Sequence, residues 1–298
     1  MLKDLISNHN KFSEIKQNLL SRLQLCDLCP RKCKVDRIKG ETGFCKTGSS
    51  AKVNSAFLHF GEEPEITGKT GSGTIFFSHC NLECCFCQNY TISHQGQGRE
   101  VNSQELAQMM LALQRQGAQN LNFVTPTHVT AQIVEAIFLL LKEGLDIPLV
   151  YNCGGYESID TLKSISGIFD IYMPDLKYSN NNTAKELSSA PDYWQISKEA
   201  LIEMHRQVGD LIVEGGAARG GLLVRHLVLP NNLSGTFEIL DFIKNELSIH
   251  TYVNIMDQYR PCYNAHKHKG LDRRITPDEY SAAVSYARNI GLYRGFNH

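Results

Sequence analysis

The chain lacks several features by which function is commonly read. Thirty basic residues stand against thirty-one acidic ones, a net charge of −1, so nothing offers a bulk electrostatic grip on nucleic acid or an anionic membrane. No apolar run approaches the roughly 20 residues that a spanning helix needs. The first ten residues are too polar for a secretory leader. These absences predict a cytoplasmic protein with neither membrane nor nucleic acid as partner. The sequence contains no repeat of solenoid period and no low-complexity tract. A phosphate-binding loop is also missing. Gly68-Lys69-Thr70 resembles the end of one, but Glu63 stands where its first glycine belongs.

What is present is an ordinary globular balance, 42% hydrophobic and 20% charged over 298 residues, enough for at most two domains. Ten cysteines are the exception. Eight fall into two groups: Cys26, Cys29, Cys33 and Cys45, then Cys80, Cys84, Cys85 and Cys87. Disulfide frameworks belong to secreted chains, whereas clustered thiols in a reduced compartment bind metal. The first group, spaced CxxCx₃Cx₁₁C, suits either tetrahedral zinc or an auxiliary iron–sulfur cluster. Zinc is the leading expectation, because this region shows no core of its own and would gain folding energy from metal. In the second group, Cys80, Cys84 and Cys87 can ligate three irons of a [4Fe–4S] cluster. The fourth iron is then left open, the mark of a chemical site.

Short apolar runs at 74–78, 121–124, 149–152, 171–174, 224–229 and 252–255 read as strands. Helical periodicity occupies 12–23, 106–116, 133–142, 193–207 and 237–246. Thr276, Pro277 and Glu279 open a last helix with a capping box. The alternation predicts an α/β fold of right-handed βαβ units, either a doubly wound sheet or a partial barrel. In both, the site lies beyond the carboxyl ends of the strands. Cys80, Thr125–His128, 152–155, 175–177 and 257–262 follow strands in this way, and Cys153, Cys262, His128 and Tyr259 are weighed as lesser candidates. The glycine-rich 215–221 reads as a mobile loop, and the basic 266–274 as a solvated one.

The CxxxCx-aromatic-C loop after the first of these strands, with Phe86 at the aromatic position, resembles the radical S-adenosylmethionine superfamily. The likeness spans 71–262 and is nearest the pyruvate formate-lyase activating enzyme-like branch. It implies a partial (β/α)6 barrel over 71–298. The small N-terminal four-cysteine metal-binding extension over 1–70 departs from the simple activases; its Cys26–Cys45 segment, followed by Phe57-Leu58-His59-Phe60-Gly61-Glu62-Glu63-Pro64, resembles a stand-alone subfamily related to them. The likeness also implies a [4Fe–4S] cluster and S-adenosylmethionine (SAM) as cofactors, and a reduced flavodoxin or ferredoxin-type electron donor. Ile171-Tyr172-Met173-Pro174-Asp175-Leu176-Lys177 resembles the strand ending in Asp-Leu-Lys, which places Asp175 and Lys177 beside SAM. Val224-Arg225-His226-Leu227 resembles the arginine-bearing strand. Tyr151-Asn152-Cys153-Gly154 corresponds to the strand end at the ribose, with Asn152 and Gly154 as contacts. Val124-Thr125-Pro126-Thr127-His128 stands where the branch carries Gly-Gly-Glu-Pro, so backbone carbonyls around Thr125 are expected to receive the ligand's amine. The implied activity is hydrogen abstraction from an unidentified substrate, a protein glycine or a small molecule. The alternative is a non-catalytic metal-binding or electron-transfer protein with structural cysteines.

Overall fold

A computed structural model describes residues 9–141 and 143–296. Strand β5 (Leu149–Cys153) shows how its sheet is built. Every residue of this strand is buried, as a strand covered on both faces requires. Leu149 and Tyr151 enter the large core, while Val150 joins a separate cluster with Ile171, Met173 and Leu223. This period of two sends one set of side chains outward to the helices and the other to the concave face.

Six strands, β2 (Ser72–Phe77), β4 (Leu121–Val124), β5, β6 (Ile171–Pro174), β8 (Ala217–Leu227) and β9 (Tyr252–Met256), pair in parallel in that order. They overlap the six expected runs, but β2 ends before Ser78, and β8 starts seven residues early and ends before Val228 and Leu229. Three antiparallel strands extend them: β1 (Ala51–His59) lies against β2, β3 (Arg99–Val101) against β1, and β7 (Ile212–Glu214) against β8. The nine-stranded sheet does not close between β9 and the β1–β3 edge. The architecture is an open α/β partial barrel. One expectation is corrected: 215–221 is not a mobile loop. Gly215 and Gly216, with φ of 61° and 83°, form the turn joining β7 to β8, because paired glycines supply the positive φ that tight hairpins demand.

The helices sit where periodicity and caps place them. Residues Ser103–Arg115 begin at a capping box of Asn102 and Glu105, and Pro277–Asn289 at one of Thr276 and Glu279. The predicted 133–142 helix spans Thr130–Leu140; Lys142 lies outside the described residues, as do residues 1–8 of the N-terminal stretch. The 237–246 helix is α-helical over Thr236–Phe242 and continues as a π-helix over Ile243–Leu247. No helix among the described residues is long and apolar enough to cross a membrane.

Residues 60–67 leave β1 and pass beneath the amino ends of the parallel strands. Ile66 is fully buried there against the Val150–Ile171–Leu223 cluster. Its carbonyl accepts from Asn120 Nδ2 at 2.6 Å. One end of the concave face is thereby plugged, and the other end is open.

Candidate functional site

At the open end β2 runs through His79, whose φ is +69°, into the Cys80–Cys87 loop. Each of three sulfurs meets a polar partner: Leu82 N donates to Cys80 Sγ at 3.3 Å and Ser188 Oγ to Cys84 Sγ at 3.0 Å, while Cys87 Sγ and Ser93 Oγ lie 3.1 Å apart. All three line a hollow of about 170 Å³. Cys85 does not line it. Leu187 O accepts from the Cys85 N–H and Asn264 N donates to its carbonyl, and these bonds turn the side chain into the core. Burial, then the nearby Cys84 sulfur, push the Cys80 and Cys87 thiols up. Three thiolates therefore need a cationic group between them. Donors already aimed at the sulfurs suit an iron–sulfur cluster, whose ligands are hydrogen-bonded thiolates.

Beside the sulfurs lies a wider cleft of about 400 Å³, and Asn152, Asp175, Lys177 and Arg225 line both spaces. They form one network. Arg225 donates through Nε to Asp175 Oδ1 at 2.9 Å and through Nη2 to Asn152 Oδ1 at 2.6 Å. Lys177 Nζ donates to Asp175 Oδ2 at 2.5 Å. Arg225 Nη1 also reaches Glu62 Oε2 at 3.2 Å. Two cations thus face two carboxylates, a balance that permits burial. Burial alone would raise Asp175, but Arg225 and Lys177 outweigh it and hold the carboxyl below its ordinary range. For Glu62 burial prevails over Arg225, and the carboxyl is pushed up. Of the two carboxyls, Glu62 is the one shifted toward protonation.

Backbone geometry tightens the rim. Thr125 has φ of +63°, a strained conformation for a β-branched residue. Its N–H donates to Asn152 O at 2.9 Å, and it lines the sulfur hollow with Gly154. At Gly155 (φ +76°) a Cβ would meet Asp175 O at 2.2 Å, so only glycine lets β5 approach β6 this closely. Phe86 lines the cleft and packs edge-on against Tyr178 and Tyr259.

The structure therefore gathers Cys80, Cys84, Cys87, Phe86, Thr125, Asn152, Gly154, Asp175, Lys177 and Arg225 around two adjoining spaces. Cys153 lines the smaller space and Tyr259 the larger. His128 does not join them. It is buried, its ring held down to about 3 by that burial, and it lines a different hollow with Cys26, Cys29, Cys33 and Cys45. Among the described residues no three His, Cys, Asp or Glu side chains close on a single metal position. Glu62 and His59 are additions that motif reading did not supply. The signal was Gly61-Glu62-Glu63-Pro64, which lies in the N-terminal extension and was given no site role.

Comparison with known proteins agrees with this geometry. Residues 74–215 match the Radical SAM superfamily. The chain is 33% identical over 289 residues to the uncharacterized protein MJ0674 of Methanocaldococcus jannaschii, covering 94% of this chain and 78% of that one. It is 22% identical to the uncharacterized protein MJ0808 of the same organism, covering 92% and 79%. Among solved structures it is similar to a radical SAM methyltransferase from Sphaerobacter thermophilus, with a TM-score of 0.52, 15% identity, and coverage of 75% and 65%. It is also similar to Streptococcus suis SuiB bound to precursor peptide SuiA, with a TM-score of 0.50, 10% identity, and coverage of 73% and 46%. The chain spans less than two thirds of the length of either solved structure, and at these identities the likeness is one of fold. A cysteine trio at the mouth of an open parallel barrel, the matched segment that carries it and a long relative at one third identity converge, and the chain belongs to the radical SAM superfamily.

Proposed function

We propose that the protein is a radical SAM enzyme whose cluster is held by Cys80, Cys84 and Cys87 and whose SAM lies along Asn152, Asp175, Lys177 and Arg225. When bound, these cofactors supply one-electron reductive cleavage of the SAM sulfonium, giving methionine and a 5′-deoxyadenosyl radical that abstracts hydrogen from substrate. The observation that carries the reading is the shared lining. Three hydrogen-bonded sulfurs and the charged network border the same space, so one ligand can touch both.

The chain's own residues position and shield. Leu82 N–H, Ser188 and Ser93 orient the sulfurs. Lys177 and Arg225 present cations to a carboxylate, while Asn152 offers an amide to ribose hydroxyls. Asp175 keeps both cations fixed in the absence of ligand. Phe86 and Tyr259 wall the cleft with aromatic surface and exclude water from the reacting carbon. A reduced flavodoxin or ferredoxin-type protein is the proposed electron donor. The finer assignment, an activase whose substrate is a backbone glycine of a partner protein, is supported by the likeness of β6 and β8 to that branch; a small-molecule substrate fits the same cleft.

The test is anaerobic reconstitution with iron, sulfide, reductant and SAM. Release of 5′-deoxyadenosine and methionine in equal amounts is expected. A loaded cluster with no 5′-deoxyadenosine would overturn the enzymatic reading and favour an electron-transfer protein.

A further inference from the structure

Cys26, Cys29, Cys33 and Cys45 lie outside the cleft, yet the chain brings all four to one enclosed hollow of about 10 Å³. The backbone is shaped for this. Cys26 N donates to Val35 O and Lys34 N to Cys26 O, pairing the two ends of the CxxCxxxC segment. Lys32, Lys34 and Lys46 each adopt positive φ, turning the chain sharply beside Cys33 and Cys45. Phe44 N donates to Cys33 Sγ at 3.4 Å. At Gly43 a Cβ would stand 2.6 Å from that same sulfur, so glycine alone leaves the thiol its place.

A second observation points to an anion in the hollow. Arg31 and Arg37 both line it, and Arg37 is 1% exposed. Each has an Nη2 with no hydrogen-bond partner. Arg31 is half-buried but its Nη2 is not accessible, and a buried guanidinium such as that of Arg37 is costly unless a negative group faces it. Four neutral thiols do not supply one. Four thiolates on a zinc ion, or on a four-iron cluster in its usual oxidised state, carry an overall charge of −2, matched by two guanidiniums. We infer that the four cysteines ligate a second, dianionic tetrathiolate metal centre, with Arg31 and Arg37 as its counter-charges. The sulfurs ring the hollow without closing on one point, as do those of the Cys80 loop, so zinc and the cluster are the two sources of the same ligand chemistry.

The centre bears on the first site. Arg31 Nε donates to Asn81 O at 3.0 Å, inside the Cys80 loop, and Nη1 to Ser189 O at 2.5 Å, beside Ser188. Arg37 Nη1 donates to His128 O at 2.9 Å, and the His128 ring bonds Ser78 O at 2.8 Å. Arg31 therefore holds backbone beside the first cysteine trio directly, and Arg37 reaches it through His128.

Metal analysis of the full chain carrying Cys80→Ala, Cys84→Ala and Cys87→Ala, purified anaerobically, isolates this centre from the proposed enzymatic one. About one zinc, or about four irons with sulfide, is expected per chain, with sulfur as the neighbouring atom in X-ray absorption. In the unaltered chain, alkylation followed by mass spectrometry should label Cys26, Cys29, Cys33 and Cys45 only after chelator has stripped the metal. Arg37→Gln should weaken metal retention against a competing chelator by about 10–100-fold, the range for partners that orient ligands. Trace metal in the triple variant, together with alkylation unchanged by stripping in the unaltered chain, would overturn the inference, whether or not the triple variant folds.

Discussion

The two cysteine groups are built to opposite plans. Cys80, Cys84 and Cys87 stand at the carboxyl end of a strand, beside a cleft of about 400 Å³, and the nearby cations are already neutralised by Asp175 and Glu62. Cys26, Cys29, Cys33 and Cys45 surround a hollow of about 10 Å³ lined also by Leu28, Val35 and His128, with two arginine nitrogens left unmatched. The first arrangement leaves room for a reactant beside the sulfurs; the second does not. Openness and local charge balance separate a chemical site from a structural one more sharply than cysteine spacing does.

The most severe test of that contrast is loss of each sulfur. Single replacement of Cys80, Cys84 or Cys87 by alanine should abolish the cluster's visible absorption and electron paramagnetic signal, whereas Cys85→Ala should keep them. Equal loss at Cys85 would break the distinction between lining and buried thiols. Next in size is Arg225→Ala. It leaves Glu62 without its cation and Asp175 with Lys177 alone, and should cost up to about 3 kcal/mol in denaturant unfolding; a change within about 0.5 kcal/mol would mean the network is solvated.

Between the two sites lies Glu157, which accepts from Thr127 Oγ1 at 2.6 Å and Tyr151 OH at 3.1 Å. Burial raises its carboxyl to about 7, against about 4.3 in the unfolded chain. The folded state then holds the proton that the unfolded state has released. Stability should be full below about pH 4 and should fall as pH rises to about 7, by up to ~3 kcal/mol. Urea titrations at two pH values check this, and Glu157→Gln should flatten the slope. The smallest effect sharpens the ligand assignment. Lys177→Met and Asn152→Ala should each weaken SAM binding to the reconstituted protein by about 1–3 kcal/mol in calorimetry. Unchanged affinity would move the substrate, rather than SAM, onto those residues.

The parallel strands were legible because each is a run of apolar residues ended by a chemical one. Residues Ile171–Pro174 leading to Asp175 show the pattern in five positions. Strands β3 and β7 have three residues each, too short for alternation to register. Strand β1 sits at the edge of a region that its cysteines made look separate. Glu62 was out of reach for a different reason. Its partner Arg225 is 163 positions away, and no local period links them. The arginine bridge from the four-cysteine segment to Asn81 spans 50 positions and was equally silent. Spacing identifies ligands within one loop, but charge compensation between distant segments needs the fold.

Residues 60–67 do more than fill the bottom of the sheet. Asn122 and Asn120, at β4, donate to Glu62 Oε1 and Ile66 O. Across the opening, Asn254 and Tyr252 of β9 donate to Glu63 Oε1 and Glu65 Oε2, each at 2.7 Å. The segment is thus a cross-strut, pinned to both sides of a gap that no strand pairing bridges. A barrel left open by its hydrogen bonds is made rigid by its side chains. Opening the gap further at this plugged end would require Arg225–Glu62, Asn254–Glu63 and Tyr252–Glu65 to release together.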